Sequence, residues 1–334
     1  MSAILAFLLT ALLVPLVMRL KIMDNPNYRS IHLQATPKAG GIAILGGLLA
    51  GTLLNGWALE YWALGLLFIA SAALGLFDDL KNISPRVKLF GQFLLALATV
   101  LLGYSFQLLG NFGDYVLTLL WIIGYMNAFN LIDGLDGLAG GLTVISALAF
   151  LFLGIPGFSL FLLPLSGALI AFLLYNFKPA KIFMGDTGSM FLGYLLAVAG
   201  VMAQSGGSLK IPAFLGILLI LYYPLFDLVL SIIRRRLHKK PIFAPDRSHS
   251  YNLLTDQLGL SYLGTVLSIY FFSLLTAFLG VLTYKYLPWF GSIILFILVA
   301  LSLVFPVLRF KLLAESKLEK SQKEDSSWRK KTWS

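Results

Sequence analysis

Asn127-Ala-Phe-Asn130-Leu-Ile-Asp133-Gly-Leu-Asp136-Gly-Leu-Ala-Gly140-Gly141 joins the end of one apolar run to the start of the next. Asn127, Asn130, Asp133 and Asp136 recur every three residues, a spacing that keeps side chains near one face of a helix or tight helical turn. Four oxygen-bearing side chains are therefore expected to converge at the edge of an apolar body. The glycines at 134, 137, 140 and 141 remove side-chain bulk, so backbone or a ligand can approach closely. Carboxylates beside hydrocarbon are unfavourable unless they face water, a partner or a metal. A plain polar turn between two helices would explain the glycines but rarely needs four aligned oxygen donors.

The surrounding chain is membrane protein. Of its 334 residues 59% are hydrophobic and 12% charged, about half the charge fraction of an ordinary soluble domain. Eleven apolar runs approach the ~20 residues that a span requires: 2–20, 40–58, 61–77, 87–104, 114–130, 140–155, 158–176, 188–204, 211–233, 261–284 and 288–309. The expected fold is all-α, a polytopic helical bundle of about eleven transmembrane helices. Residues 1–310 are expected to form a single transmembrane domain and 311–334 a charged tail. The first run lacks a basic segment ahead of it, and Arg19 and Lys21 follow it. It reads as a first transmembrane helix and not as a cleaved signal peptide.

Charge distribution orients the bundle. Loops after odd-numbered runs, with Arg19 and the tail, carry 23 of the 25 Lys and Arg residues, while loops after even-numbered runs carry only Lys210 and Lys285. The positive-inside rule places the N-terminus outside and the C-terminus in the cytoplasm. Asp78, Asp79, Asp133, Asp136, Asp186, Asp246, Asp256 and all three histidines lie in or beside the odd loops, so the chemistry is expected at the cytoplasmic face. With no cysteine and three histidines, thiolate chemistry is excluded and a zinc site is not expected. A metal here would be a hard cation on carboxylate and phosphate oxygens, magnesium first and manganese as a substitute.

Each odd loop offers a candidate group. The first holds Arg29, His32 and Lys38 ahead of Gly40-Gly41, a glycine-rich helix start able to hold phosphate. The second carries the Asp78-Asp79 pair, followed by Lys81, Arg86 and Lys88. The fourth places Lys178 and Lys181 before Gly185-Asp186-Thr187-Gly188, where a helix N-terminus favours anions; Asp186 or Thr187 as a plain cap is the simpler reading, but two lysines beside a glycine-framed Asp suit a metal-bound phosphate better. The fifth runs from a basic cluster at 234–240 into Phe243-Ala-Pro-Asp246-Arg247-Ser-His249-Ser-Tyr251-Asn252, with Asp227 inside the preceding run. An ionisable residue within a span is a functional candidate, unless it is simply paired with Arg234 or backbone.

Together these motifs, in this order, resemble the polyprenyl-phosphate N-acetylhexosamine-1-phosphate transferases, relatives of phospho-N-acetylmuramoyl-pentapeptide transferase. The resemblance covers the chain from Asp24 to Tyr251. It implies a multi-pass enzyme of the bacterial inner membrane with its active site facing the cytoplasm. There a polyprenyl (undecaprenyl) phosphate attacks the β-phosphorus of a UDP-N-acetylhexosamine, giving polyprenyl-diphosphate-sugar and UMP with magnesium required. It also implies roles. Asp186 is the first candidate metal ligand, supported by Asp79 and Asp136, and Asp78 the base or orienter of the lipid phosphate. Asn127, Asn130 and Asp133 hold the nucleotide or the metal's outer shell, while Arg247 and His249 bind diphosphate or sugar.

The fifth loop reads His249-Ser-Tyr251-Asn252, where the N-acetylglucosamine branch has His-x-His-His. That departure resembles the O-antigen-initiating branch and allows N-acetylglucosamine or a 6-deoxy relative as the sugar, with Tyr251 as a contact. No nucleic acid partner is expected, and a homodimer is an allowed assembly. The competing class is a cation-coupled secondary transporter, which would set its polar residues at mid-membrane with access from both faces.

Overall fold

The computed structural model describes residues 1–24, 35–54, 56, 61–207, 210–241 and 249–309. Arg29, His32, Asp246, Arg247 and the 311–334 tail lie outside them. Among the described residues the only strands are β1 (Met23–Asp24) and β2 (Thr36–Pro37), a two-residue antiparallel pair closing the first loop. The rest is helix: α1 (Ser2–Met18), α2 (Gly40–Leu54), α3 (Trp62–Lys81), α4 (Pro85–Leu101), α5 (Asn111–Ile132), α6 (Leu138–Leu153), α7 (Ser159–Asn176), α8 (Gly185–Gly206), α9 (Lys210–Ile220), α10 (Tyr222–Leu237), α11 (Ser250–Leu258), α12 (Tyr262–Tyr286) and α13 (Trp289–Arg309).

Every apolar run falls on a helix, but length does not establish eleven crossings. Helices α3, α5, α7, α8, α12 and α13 are each long and apolar enough to cross a membrane, and α9 with α10 makes a seventh if counted as one span. Helices α1, α2 and α6 are apolar but shorter.

The run expected at 211–233 is not one straight helix. It bends by 77° between α9 and α10. Pro224 explains the break: it has no N–H and its ring crowds the carbonyl four residues back, at Ile220. Side chains then take up the released carbonyls. Ser146 Oγ donates to Ile220 O at 3.4 Å and Tyr125 Oη to Leu221 O at 3.2 Å. Broken helices persist at membrane depth when neighbours satisfy the backbone in this way.

Helix α8 is the centre of the bundle, packed by α2, α3 and α5 and almost wholly buried. Helices α1, α2 and α7 pack together on one side, and α9 lies against α12 and α13 on the other. Small residues set the closest contacts. A Cβ at Gly75 of α3 would stand 2.2 Å from the Asp186 carbonyl oxygen, so only glycine lets α3 reach the start of α8. Leucines and phenylalanines of α1, α4, α12 and α13 point outward, as a lipid-facing rim requires.

Candidate active site

Four helix ends meet at one end of the bundle. Asp78 and Asp79 close α3, whose terminal turn is capped by Asn82 in the left-handed region. The chain re-enters as α4 through Ser84, whose hydroxyl accepts from Val87 N, with Pro85 at the first helical position; both are favoured helix starts. One turn in, Lys88 extends its ammonium between carboxylates. Its Nζ stands 2.8 Å from Asp78 Oδ2 and 2.9 Å from Asp186 Oδ2, and it donates to Asn130 Oδ1 at 3.4 Å. Asn130 in turn donates to Asp186 Oδ1 and, at 3.0 Å, to Ser189 Oγ. Asp78 Oδ1 also accepts from Ile83 N at 3.0 Å.

The two adjacent aspartates have different tasks. Asp79 turns away from Lys88 and caps α8. It accepts from Asp186 N at 3.1 Å, Thr187 N at 2.9 Å and Thr187 Oγ1 at 2.7 Å, and Lys38 Nζ lies 3.4 Å from it. A carboxylate here satisfies orphan N–H groups and complements the helix dipole. Gly185 makes the approach possible, with φ +70 and a Cβ position only 2.4 Å from Lys38 O and 2.7 Å from Asp79 Oδ2. Backbone pairing binds the first loop to the fourth: Phe183 N to Pro37 O, Gly40 N to Phe183 O and Gly41 N to Met184 O, all at 2.8–2.9 Å. The glycines at 40 and 41, expected to hold phosphate, thus give their N–H groups to protein carbonyls.

The Asn127–Asp136 series converges only in part. A step of three along a helix turns a side chain by about 60°, which sets Asn127 and Asn130 of α5 in different directions, and the helix ends before Asp133 and Asp136. Asn127 faces α4, donating to Gln92 Oε1 at 2.7 Å and Ile123 O at 2.8 Å. Asn130 faces Asp186. Helix α5 ends at Ile132 with Asp133 as its cap, and Asp136 lies in the following turn with Oδ2 accepting from Ala180 N at 3.1 Å. That turn is held by Asn176 Oδ1, which accepts from Gly137 N at 2.9 Å, and by the hydroxyls of Tyr262 and Tyr270, which contact Asp136 N and Gly137 O. Lys178 packs its ammonium 3.9 Å from the centre of the Tyr262 ring, while Lys181 is exposed on the same loop.

Asp133 is half-buried among like charges. Burial, then the carboxylates of Asp186, Asp79, Asp136 and Asp24, push its carboxyl well above the usual carboxylate range.

The fifth loop is anchored from α10 and α11. Asp227, fully buried, accepts from Ser250 N at 2.7 Å and meets His249 Nδ1 at 2.9 Å. Tyr251 is buried, its ring stacked on His249 at 5.4 Å between centres and 9° between planes, and its hydroxyl donates to Leu131 O at 3.2 Å. Tyr251 therefore reaches the site through His249 and through the end of α5, not by a surface of its own.

Metal chemistry fits the donors present, although among the described residues no three His, Cys, Asp or Glu side chains form a group able to hold an ion alone. Asp78 and Asp186 already converge on a single positive centre, the Lys88 ammonium. Both are hard oxygen donors, and magnesium is commonly held by one or two carboxylates plus substrate phosphates. Asp79 and Asp136, expected as supporting ligands, are instead turned onto backbone N–H groups.

The sequence alone does not mark Lys88, Gln92, Ser189 and Tyr262 as site residues. Lys88 reads as one more positive charge of an inner loop, set apart only by its position one turn after a Ser-Pro helix start. The acidic side chains described gather mainly at one end of the bundle, an arrangement that gives the transporter alternative no support.

Residues 61–204 match the glycosyl transferase family 4 model. The chain is 37% identical over 322 residues to a probable undecaprenyl-phosphate N-acetylglucosaminyl 1-phosphate transferase of Bacillus subtilis, covering 89% of this chain and 88% of that protein. It is 32% identical over 280 residues to the undecaprenyl-phosphate alpha-N-acetylglucosaminyl 1-phosphate transferase of Thermotoga maritima, covering 84% and 88%. A phospho-N-acetylmuramoyl-pentapeptide-transferase of Picosynechococcus is 37% identical over 236 residues, covering 60% and 63%.

Proposed function

The chain belongs to glycosyl transferase family 4, and on that premise we propose that it transfers an N-acetylhexosamine-1-phosphate from a UDP-sugar to a polyprenyl phosphate. The products are a polyprenyl-diphosphate-sugar and UMP. UDP-N-acetylglucosamine is the proposed donor, in keeping with the names of the relatives; a 6-deoxy N-acetylated sugar is the variant suggested by the His249-Ser-Tyr251-Asn252 loop. The charge bias of the loops supports an inner-membrane orientation with this site on the cytoplasmic side.

One observation carries the reading: Lys88, Asp78, Asp186 and Asn130 converge from four helices at one end of an apolar bundle. A lipid phosphate arriving from the bilayer and a nucleotide diphosphate arriving from water would meet there. A new bond forms between an oxygen of the lipid phosphate and the β-phosphorus. The bond from that phosphorus to the bridging oxygen breaks, and UMP leaves with the electron pair. Phosphoryl transfer asks chiefly for positioning and charge neutralisation.

Lys88 supplies a cation to phosphate oxygens, and Asn130 holds the Asp186 carboxylate in place. Asp79 fixes the start of α8 so that Asp186 projects into the cluster. A general base contributes little, because a phosphate monoester with a second pKa near ~6 is already largely ionised at pH 7. Asp186 and Asp78 are the residues that would hold magnesium, which when bound offsets the charge of the diphosphate and of the leaving UMP.

The test is metal depletion set beside Asp186→Asn. EDTA should abolish UMP release by the wild-type protein and Mg²⁺ or Mn²⁺ restore it, while Asp186→Asn inserts normally and loses nearly all transfer at any metal concentration. Full activity in metal-free protein, or in the variant, would contradict the assignment.

A further inference from the structure

Tyr262 and Tyr270 of α12 each grip two parts of the site at once. Asp136 N–H, in the α5–α6 turn, donates to the Tyr262 hydroxyl, while the face of the same ring carries the Lys178 ammonium 3.9 Å from its centre. The Tyr270 hydroxyl donates to Gly137 O at 2.5 Å, and its ring meets Phe177 edge to face, 6.5 Å between centres and 85° between planes. Neighbours in the turn, Asp136 and Gly137, thus take the hydroxyls, and neighbours at the head of the α7–α8 loop, Phe177 and Lys178, take the rings. Gly141 seats the second phenol: a Cβ there would lie 2.7 Å from Tyr270 Cε1 and closer still to the hydroxyl. The side chain that glycine lacks makes room for a tyrosine of the same chain.

The two segments need holding together. One carries Asp133 and Asp136, the other leads into Asp186, and Asp133 feels the charge of both Asp186 and Asp79. Like charges push the segments apart. The direct links across them, Gly137 N to Asn176 Oδ1 at 2.9 Å and Ala180 N to Asp136 Oδ2 at 3.1 Å, start from the same turn residues that the tyrosines hold. Resting on the transferase reading above, we infer that Tyr262 and Tyr270 are positioning residues for phosphoryl transfer: from α12 they lock the α5–α6 turn to the α7–α8 loop and so fix Asp133 against Asp186. Both act through the backbone of the turn and not on substrate. Helix α12 lies beyond the residues 61–204 that match the family model, so the site draws part of its rigidity from outside the matched segment.

The experiment compares Tyr262→Phe and Tyr270→Phe with Tyr284→Phe, in the full chain in lipid nanodiscs with magnesium. Tyr284 sits near the far end of the same helix, and its hydroxyl donates in the same way to Ala203 O at 2.7 Å. Each variant loses one hydroxyl and keeps the ring, so the melting temperatures should fall by similar amounts. Amide hydrogen–deuterium exchange should quicken in residues 131–141 and 176–184 in the first two variants only. Their kcat per folded protein should fall about 10- to 100-fold, the effect of an ångström-scale misplacement, while Tyr284→Phe keeps the wild-type kcat. Gly141→Ala, which pushes Tyr270 off its seat, should lower kcat in the same way. Adding Tyr270→Phe to it should cost little more, because both changes act on one contact. A purely structural role would lower the folded fraction and leave kcat per folded protein unchanged.

An unchanged kcat in Tyr262→Phe and Tyr270→Phe overturns the inference, whether or not exchange quickens. So does an equal fall in Tyr284→Phe, which would make the loss a general loosening of α12. A fall in kcat with exchange unchanged in both segments overturns it too, since the hydroxyls would then not be holding the loops. Wild-type protein that turns over no UDP-sugar would instead remove the transferase reading, with the clamp still decided by the exchange.

Discussion

Substitution of Asp79 separates a cap from a metal ligand. The carboxylate accepts three donors from the first turn of α8: the N–H groups of Asp186 and Thr187 and the Thr187 hydroxyl. Thr187 is only 1% exposed, so water cannot replace the lost acceptor. Hydrogen bonds to a charged group contribute about 1.5–3 kcal/mol each net, and orphaned buried donors add a desolvation penalty. Allowing for non-additivity within one cluster, Asp79→Ala should lose roughly 3–5 kcal/mol.

Asp79→Asn keeps one oxygen for the Thr187 donors but sets an NH₂ against Asp186 N–H, losing about 1.5–3 kcal/mol. Activity should fall further than stability. The Asp186 carboxylate moves with its own amide, and a misplacement of about 1 Å can cut a rate ~10²-fold. The assay is thermal unfolding in EDTA beside UMP release with magnesium. Stability in the order wild type, Asn, Ala in the absence of metal supports the cap. If metal-free stability is unchanged while the magnesium requirement of the variants rises steeply, Asp79 is a metal ligand and the reasoning fails.

Gly185→Ala should lower thermal stability and abolish most transfer, because a left-handed backbone disfavours a Cβ by about 1–2 kcal/mol and that Cβ would strike Lys38 O at 2.4 Å; wild-type behaviour would show that the loop relaxes. Asp133 gives a pH signature in EDTA. Its folded pKa is raised, so the folded state holds the proton more tightly, and stability falls as pH rises from about 4, the unfolded value, through the folded value. Asp133→Asn should flatten that fall in a pH series of unfolding curves and equal or exceed wild type in stability at pH 7; an unchanged slope would assign it elsewhere. Single cysteines replacing Ser84 and Ser248 should label only from the cytoplasmic side, and one replacing Ser208 only from outside, with no native cysteine as background; labelling of Ser84→Cys and Ser208→Cys from one side would redraw the topology.

The helices were legible in the sequence because hydrocarbon demands long apolar runs, and the Asn127–Gly141 stretch marked the end of α5 and the start of α6 correctly. The bend at Leu221 was not. Pro224 sits at the break, yet Pro15 and Pro164 lie inside α1 and α7 without one. There the Tyr175 and Thr52 hydroxyls take up the carbonyls at Ala11 and Leu160 just as Ser146 does at Ile220, so a proline in an apolar run does not by itself mark a bend. Helix α11 was hidden in a loop rich in polar residues. Within the site, residue types told which groups would gather but not which way each would face. Asp78 and Asp79 are neighbours, yet one pairs with Lys88 and the other caps a helix more than a hundred residues later. Spacing of three suggested one polar face, whereas Asn127 turns to Gln92 on α4 and Asp136, beyond the end of α5, accepts from Ala180 N.

The most direct measurement of what this protein does uses purified protein in lipid with polyprenyl phosphate, magnesium and UDP-N-acetylglucosamine carrying ³²P at the β-phosphorus. Transfer of sugar-1-phosphate predicts that the label enters the lipid fraction in step with release of unlabelled UMP, and that Lys88→Met and Asp186→Asn stop both. Label left in the aqueous phase as UDP, with sugar alone on the lipid, would contradict the account.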